Sequence, residues 1–128
     1  QGHYRHTQYI IANSEIFGFS PMQRVVVSAI ARYQGKTRPD PLDRLMRSIP
    51  AEEHAHVVRS VVLLRLAAAL NKDRSSAIVK MRTHVYPKRV GIELVPGRGG
   101  AELEAWSLKK EAPYFREVFR RELLVEVA

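Results

Sequence analysis

Cations carry most of the chemistry in this chain. Arg5, Arg24, Arg32, Lys36 and Arg38, with Tyr33 among them, fall in the first third of 128 residues. A guanidinium is planar, always charged, and can donate two hydrogen bonds to one phosphate. A row of such groups along one helix and its neighbour would make a track for chained phosphates, held mostly by charge and loosened by salt. The competing reading is a solvated charged face, or arginines that pack against other parts of a larger protein. His3 and His6 stand three apart, so a helix would put them on one face as half of a metal site. A divalent metal needs several further donors converging on it.

Other chemical candidates are weaker. His54 and His56 are two apart and diverge on a helix, which suits solvated side chains in its first turns. Glu52 and Glu53 are adjacent and diverge as well, so they cannot flank one bond. Pro96-Gly97-Arg98-Gly99-Gly100 could aim backbone N–H groups at a phosphate. No Lys-Ser/Thr follows it, and a hairpin loop is the better reading. Trp106, Tyr114 and Phe115 could form a base-stacking platform, but their spacing suits core packing. No nucleophile constellation stands out. Ser20 is needed as a helix cap, and Gly18-Phe19-Ser20-Pro21 is not a nucleophile elbow.

The elements that must position these residues follow from periodicity. Residues 3–13 read as a helix, with Asn13, Ser14 and Gly18 marking the turn after it. Ser20, Pro21 and Gln23 make an N-cap, a first-turn proline and a capping box. Met22, Val25, Val26, Ala29, Ile30 and Tyr33 then form one apolar stripe through residues 21–34. Gln23, Arg24, Ser28 and Arg32 are expected on the outer face. Gly35 is placed as the C-cap, and Pro39 forbids continuation. One helical turn is expected over Leu42–Arg47. The longest helix is expected over 51–71, and with only Arg59, Ser60 and Arg65 polar between Val57 and Leu70 it should be central to the core.

After the polar break 71–76 the pattern alternates. Strands are expected through Ile78–Val85, Val90–Leu94 and Leu103–Ser107, then a helix over 111–122 and a last strand over Leu123–Val127. The fold class is therefore α+β: a partial all-α domain, 1–75, followed by a small antiparallel β-β-β-α-β domain, 76–128.

Composition sets outer bounds. The chain has 21 Lys and Arg against 13 Asp and Glu, a formal charge of +8, and most of the cations are Arg. The excess leans toward residues 1–75. Such a surface attracts polyanions: nucleic acid, polyphosphate, nucleotides or anionic lipid. The absence of cysteine rules out disulfides and thiolate metal sites within these residues. No run is long enough for a membrane helix, so no membrane partner is expected.

The order H-x-x-H-T-x-Y-I-I-x-N-S-E, then G-F-S, then A-R-Y-x-x-K, over residues 3–36, resembles the C-terminal region of the exopolyphosphatase and guanosine-pentaphosphate phosphohydrolase (Ppx/GppA) family. The run LLRLAAALNKDR, residues 63–74, is similar to that family's next helical landmark. The resemblance implies a C-terminal piece of a longer, cytoplasmic hydrolase of terminal phosphoanhydrides, which fits a chain opening on Gln1. Its catalytic residues and a divalent metal such as magnesium would lie in N-terminal actin-like domains not present here. This piece would not catalyse by itself. It would bind polyphosphate or guanosine penta- or tetraphosphate through Arg5, Arg24, Arg32, Lys36 and Arg38, or help form a homodimer.

The resemblance also implies that the helical part is the rear of an HD-like domain. This chain departs from the HD metal pattern, with Gln34 where a His would stand after A-R-Y, and Ala68 and Asn71 at the acidic positions. Three rivals remain: a basic nucleic-acid-binding module, a divergent HD-type metal-dependent phosphohydrolase using His3 and His6, and a purely structural dimerisation domain. Without the domain's first helices, an exposed apolar face is expected.

Overall fold

The computed structural model describes residues 3–14, 18–35, 37–72 and 77–128. The chain is α+β and divides into two compact units, residues 1–61 and 62–128.

The first unit is helical. α1 (His3–Asn13) packs on α2 (Pro21–Arg32). The start of α2 is closed in both directions by the capping box. Ser20 Oγ accepts from Gln23 N at 3.1 Å, and Gln23 Oε1 accepts from Ser20 N at 2.9 Å. This satisfies two donors that the first helical turn would otherwise leave open. At the other end the cap is Tyr33, whose N–H donates to Ala29 O at 3.2 Å. Gly35 serves a different purpose from the C-cap expected of it. A Cβ there would lie 2.9 Å from the Tyr4 ring, so the missing side chain lets α1 approach the end of α2.

α3 (Arg44–Arg47) supplies the expected helical turn, and a 3-10 turn over Ala51–Glu53 leads into α4 (His54–Leu70). The buried residues of this unit are Ser28, Ala29, Tyr33, Met46, Ile49, Val57 and Val61. Two expectations fail here. Ser28 is fully buried rather than outward, because its hydroxyl donates to Val25 O at 2.7 Å and needs no water. His54 is half-buried rather than solvated, with Nε2 2.7 Å from Met46 O and 3.0 Å from Ile49 O. A ring nitrogen between two carbonyl oxygens must be the N–H donor, so His54 ties α3 to the start of α4.

The second unit holds the rest of α4, then β1 (Ile78–Val85), β2 (Arg89–Pro96), α5 (Glu102–Phe119) and β3 (Glu122–Val127). The sheet order is β1-β2-β3, with β1 antiparallel and β3 parallel to β2. The expected antiparallel β-β-β-α-β order is therefore corrected to β-β-α-β with a mixed sheet. Leu103–Ser107, read as a strand, lies inside α5. Helix formers dominate this stretch, and a parallel return from β2 to β3 needs a crossover of a dozen or more residues, which α5 provides. Pro113 is carried inside the helix rather than near its start. Ile92, Leu94, Ala101, Ala105, Leu108, Tyr114, Phe115 and Leu123 are buried, as are Val62, Leu66 and Ala69 of α4. α4 is one-sided rather than buried all round: Leu63, Leu64, Ala67 and Ala68 are exposed.

Candidate polyanion-binding site

α1 carries Arg5, and α2 carries Arg24 and Arg32. Neither helix contains an acidic residue, and residues 1–38 hold five Lys and Arg against the single Glu15. Arg5 is exposed on α1. Arg32 is half-buried in the last turn of α2, where a positive charge also complements the carboxyl-terminal end of the helix dipole. Arg24 is half-buried and committed inward. Its Nη1 donates to Ser14 O at 3.0 Å, and its Nε is buried without a partner among the described residues. Arg38 is exposed and already has an interaction partner. Lys36 lies outside the described residues.

Tyr33, in the middle of this series, is buried and anchored. Its hydroxyl donates to Asp43 Oδ2 at 2.9 Å, joining the end of α2 to the residue that precedes α3. Burial raises its pKa well above that of an ordinary phenol, and the hydrogen bond to Asp43 and that carboxylate's charge add to the rise. It therefore stays a neutral donor and fixes the backbone from which Arg32 projects.

His3 and His6 are both exposed on α1, and the His3 ring packs edge-on against Tyr4 at 4.6 Å. Among the described residues no three His, Asp or Glu side chains come together as a metal-binding group. Exposed apolar residues of this unit include Tyr9, Ile10, Phe19, Met22 and Leu42.

In the second unit the Pro96–Gly100 turn uses its own amides. Gly97 N donates to Ala77 O at 2.7 Å and Gly100 N to Gly97 O at 3.2 Å. Gly100 has φ +77°, and a Cβ there would meet the Glu102 carboxylate, a poor neighbour for phosphate. The aromatic trio separates: Tyr114 and Phe115 are buried, whereas Trp106 is exposed with Lys110 Nζ 4.2 Å from its ring. Trp106 therefore does not join the core as expected.

Sequence reasoning missed one pair. Glu104 and Ser107, three apart on α5, are both buried, and Glu104 Oε2 and Ser107 Oγ have no hydrogen-bond partner among the described residues. Only a helix over 102–119 brings positions 104 and 107 onto one face, whereas strand alternation puts them on opposite faces.

The resulting class is a cationic helix pair followed by a small mixed-sheet unit. The chain matches the family Ppx/GppA phosphatase, domain III, over residues 1–117, and it belongs to the Ppx/GppA phosphatase family. No curated protein shows significant similarity to it.

Proposed function

We propose that this chain is the C-terminal part of an exopolyphosphatase-type protein and holds an anionic phosphate chain for it. Arg5 and Arg32 supply charge on α1 and α2, Lys36 and Arg38 follow them in the sequence, and Arg24 supports the turn before α2. The ligand is polyphosphate or guanosine penta- or tetraphosphate. The helical unit is the rear of an HD-like domain, and hydrolysis with its divalent metal takes place in actin-like domains elsewhere in a cytoplasmic parent. The observation that supports this most is the lack of any carboxylate on α1 and α2 themselves.

The test is competition at matched phosphate concentration between long polyphosphate, guanosine pentaphosphate and short duplex DNA. With four cations engaged, and about 0.7 log units per contact as for single strands, the slope of log K against log salt is about −3. Tripling the salt then weakens binding about twentyfold. Arg5→Gln and Arg32→Gln should each weaken binding several-fold and flatten the slope by one contact's share. Preference for DNA makes the chain a nucleic-acid module instead. Unchanged binding in both variants removes the site. Stoichiometric transition metal in purified protein would favour the HD-type phosphohydrolase, with His3 and His6 as ligands. Association without polyanion affinity would favour a dimerisation domain.

A further inference from the structure

The second unit ends in two open sheet edges of opposite charge. Among the described residues, β1 and β3 each pair only with β2. Seven of the eight residues of β1 are exposed. The bond from Tyr86 N to Arg89 O, 2.8 Å, sets the alternation along the hairpin. Lys80, Arg82 and His84 turn their backbone groups toward β2, and Met81, Thr83 and Val85 turn theirs outward. On β3, Glu122 N and Ala128 N donate to Lys88 O and Leu94 O at 3.0 and 2.8 Å. Leu123, Val125 and Val127 therefore direct their backbone groups outward.

The register places all six outward-bonding residues on one face of the sheet, the face of Val90, Ile92 and Leu94. The other face carries Lys80, Arg82 and His84 on β1, but Glu122, Leu124 and Glu126 on β3. One edge is basic, the other acidic, and both alternate with apolar residues in the same phase.

We propose that β3 of a second copy adds to β1, so that the sheet continues from one molecule into the next. β1 runs against β2 and β3 runs with it, so a sheet continued by translation joins β1 to the neighbour's β3 antiparallel. It also keeps α5 on the same side in both copies. Setting Met81 opposite Val125 and Thr83 opposite Leu123 pairs the outward backbone groups. The same register sets Lys80 opposite Glu126 and His84 opposite Glu122. Glu122 already pairs with Arg116 at 3.2 Å, so Lys80 opposite Glu126 is the contact that sets this register; a shift of two residues would oppose Arg82 to Glu126 instead, but Arg82 is bound to Glu93 at 2.6 Å.

Self-pairing of like edges is disfavoured. β1 against β1 collects Lys80, Arg82 and His84 from both copies on one face, and β3 against β3 collects four glutamates. Like charges across a ladder are destabilising. The bulge between Ile78 and Lys80 confines the ladder to Lys80–Val85. Because the two surfaces differ, the association is head-to-tail and extends as a row of molecules. It uses no residue of the α1–α2 face and does not depend on the polyanion reading.

The test is sedimentation of this chain without polyanion, up to about 1 mM because the contact is small. The wild type should show reversible, concentration-dependent association. Lys80→Glu alone and Glu126→Lys alone should each associate about three- to tenfold more weakly, the range for turning an exposed attraction into a repulsion. An equimolar mixture of the two should recover wild-type behaviour, because Glu at 80 then faces Lys at 126. Thr83→Pro removes an outward donor without breaking a bond to β2, and should abolish association while retaining the circular dichroism of the wild type. A wild type that stays monomeric, a mixture that fails to recover, or a Thr83→Pro chain that associates normally each overturns the proposal.

Discussion

Removing one hydroxyl, in Tyr33→Phe, tests how the basic helix is anchored. The ring would still fill its buried position, but Asp43 would lose its donor 2.9 Å away. A hydrogen bond to a charged group contributes about 1.5–3 kcal/mol, so the variant should be less stable by about that much at pH 7. The loss should show as a Tm several degrees lower.

The sharper test is alkaline pH. The phenol is held above its ordinary pKa first by burial, then by the hydrogen bond to Asp43 and that carboxylate's charge, with Arg32 opposing. A tyrosine in the unfolded chain ionises near pH 10. Below that value the stabilisation is whole. Above it the unfolded chain releases a proton that the folded chain retains, so stability falls as pH rises toward the folded pKa. The slope for one group is about 1.4 kcal/mol per pH unit. Tyr33→Phe should lack this component. The assay is hydrogen exchange and urea denaturation at pH 8 to 11.5, read at amides of α2 and α3, with wild type and variant side by side. Parallel loss of stability in both chains above pH 10, or an unchanged variant at pH 7, would refute the reasoning.

Two smaller changes test local claims. Ser20→Ala removes one half of the capping box and should cost about 1 kcal/mol, with faster exchange confined to the first turn of α2. Arg120→Gly should raise stability by about 0.5–1 kcal/mol in thermal denaturation, because Arg120 caps α5 with φ 59° and ψ 34°, a left-handed conformation that a side chain disfavours.

The helices of the first unit were legible because their signals are local. Ser20-Pro21-x-Gln23 names a helix start by hydrogen-bond chemistry alone, and the apolar spacing after it gives the length. What could not be read was which polar residues turn inward to bond a backbone carbonyl. Ser28 bonds a carbonyl in its own helix and is buried, Arg24 is drawn to Ser14, and His54 to Met46 and Ile49. Helical spacing alone does not separate such inward-bonded residues from solvated ones. Leu103–Ser107 failed for another reason. Its alternation of Leu103, Ala105 and Ser107 satisfies a strand template, while Ala105 and Leu108 three apart satisfy a helical one. Only the parallel pairing of β2 with β3, a long-range fact, decides between them.

The distribution of charge ties these observations to the candidate site. In the second unit Arg65 lies 2.8 Å from Glu111, Arg82 2.6 Å from Glu93 and Arg116 3.2 Å from Glu122. Each of these three cations meets a carboxylate of its own unit. On α1 and α2, whose sequences hold no acid, Arg5 and Arg32 meet no carboxylate among the described residues. A helix pair that concentrates unanswered cations raises its own electrostatic self-energy, and a bound anion relieves that cost. Neutralising Arg116 should leave polyanion affinity nearly unchanged, while neutralising Arg5 should not.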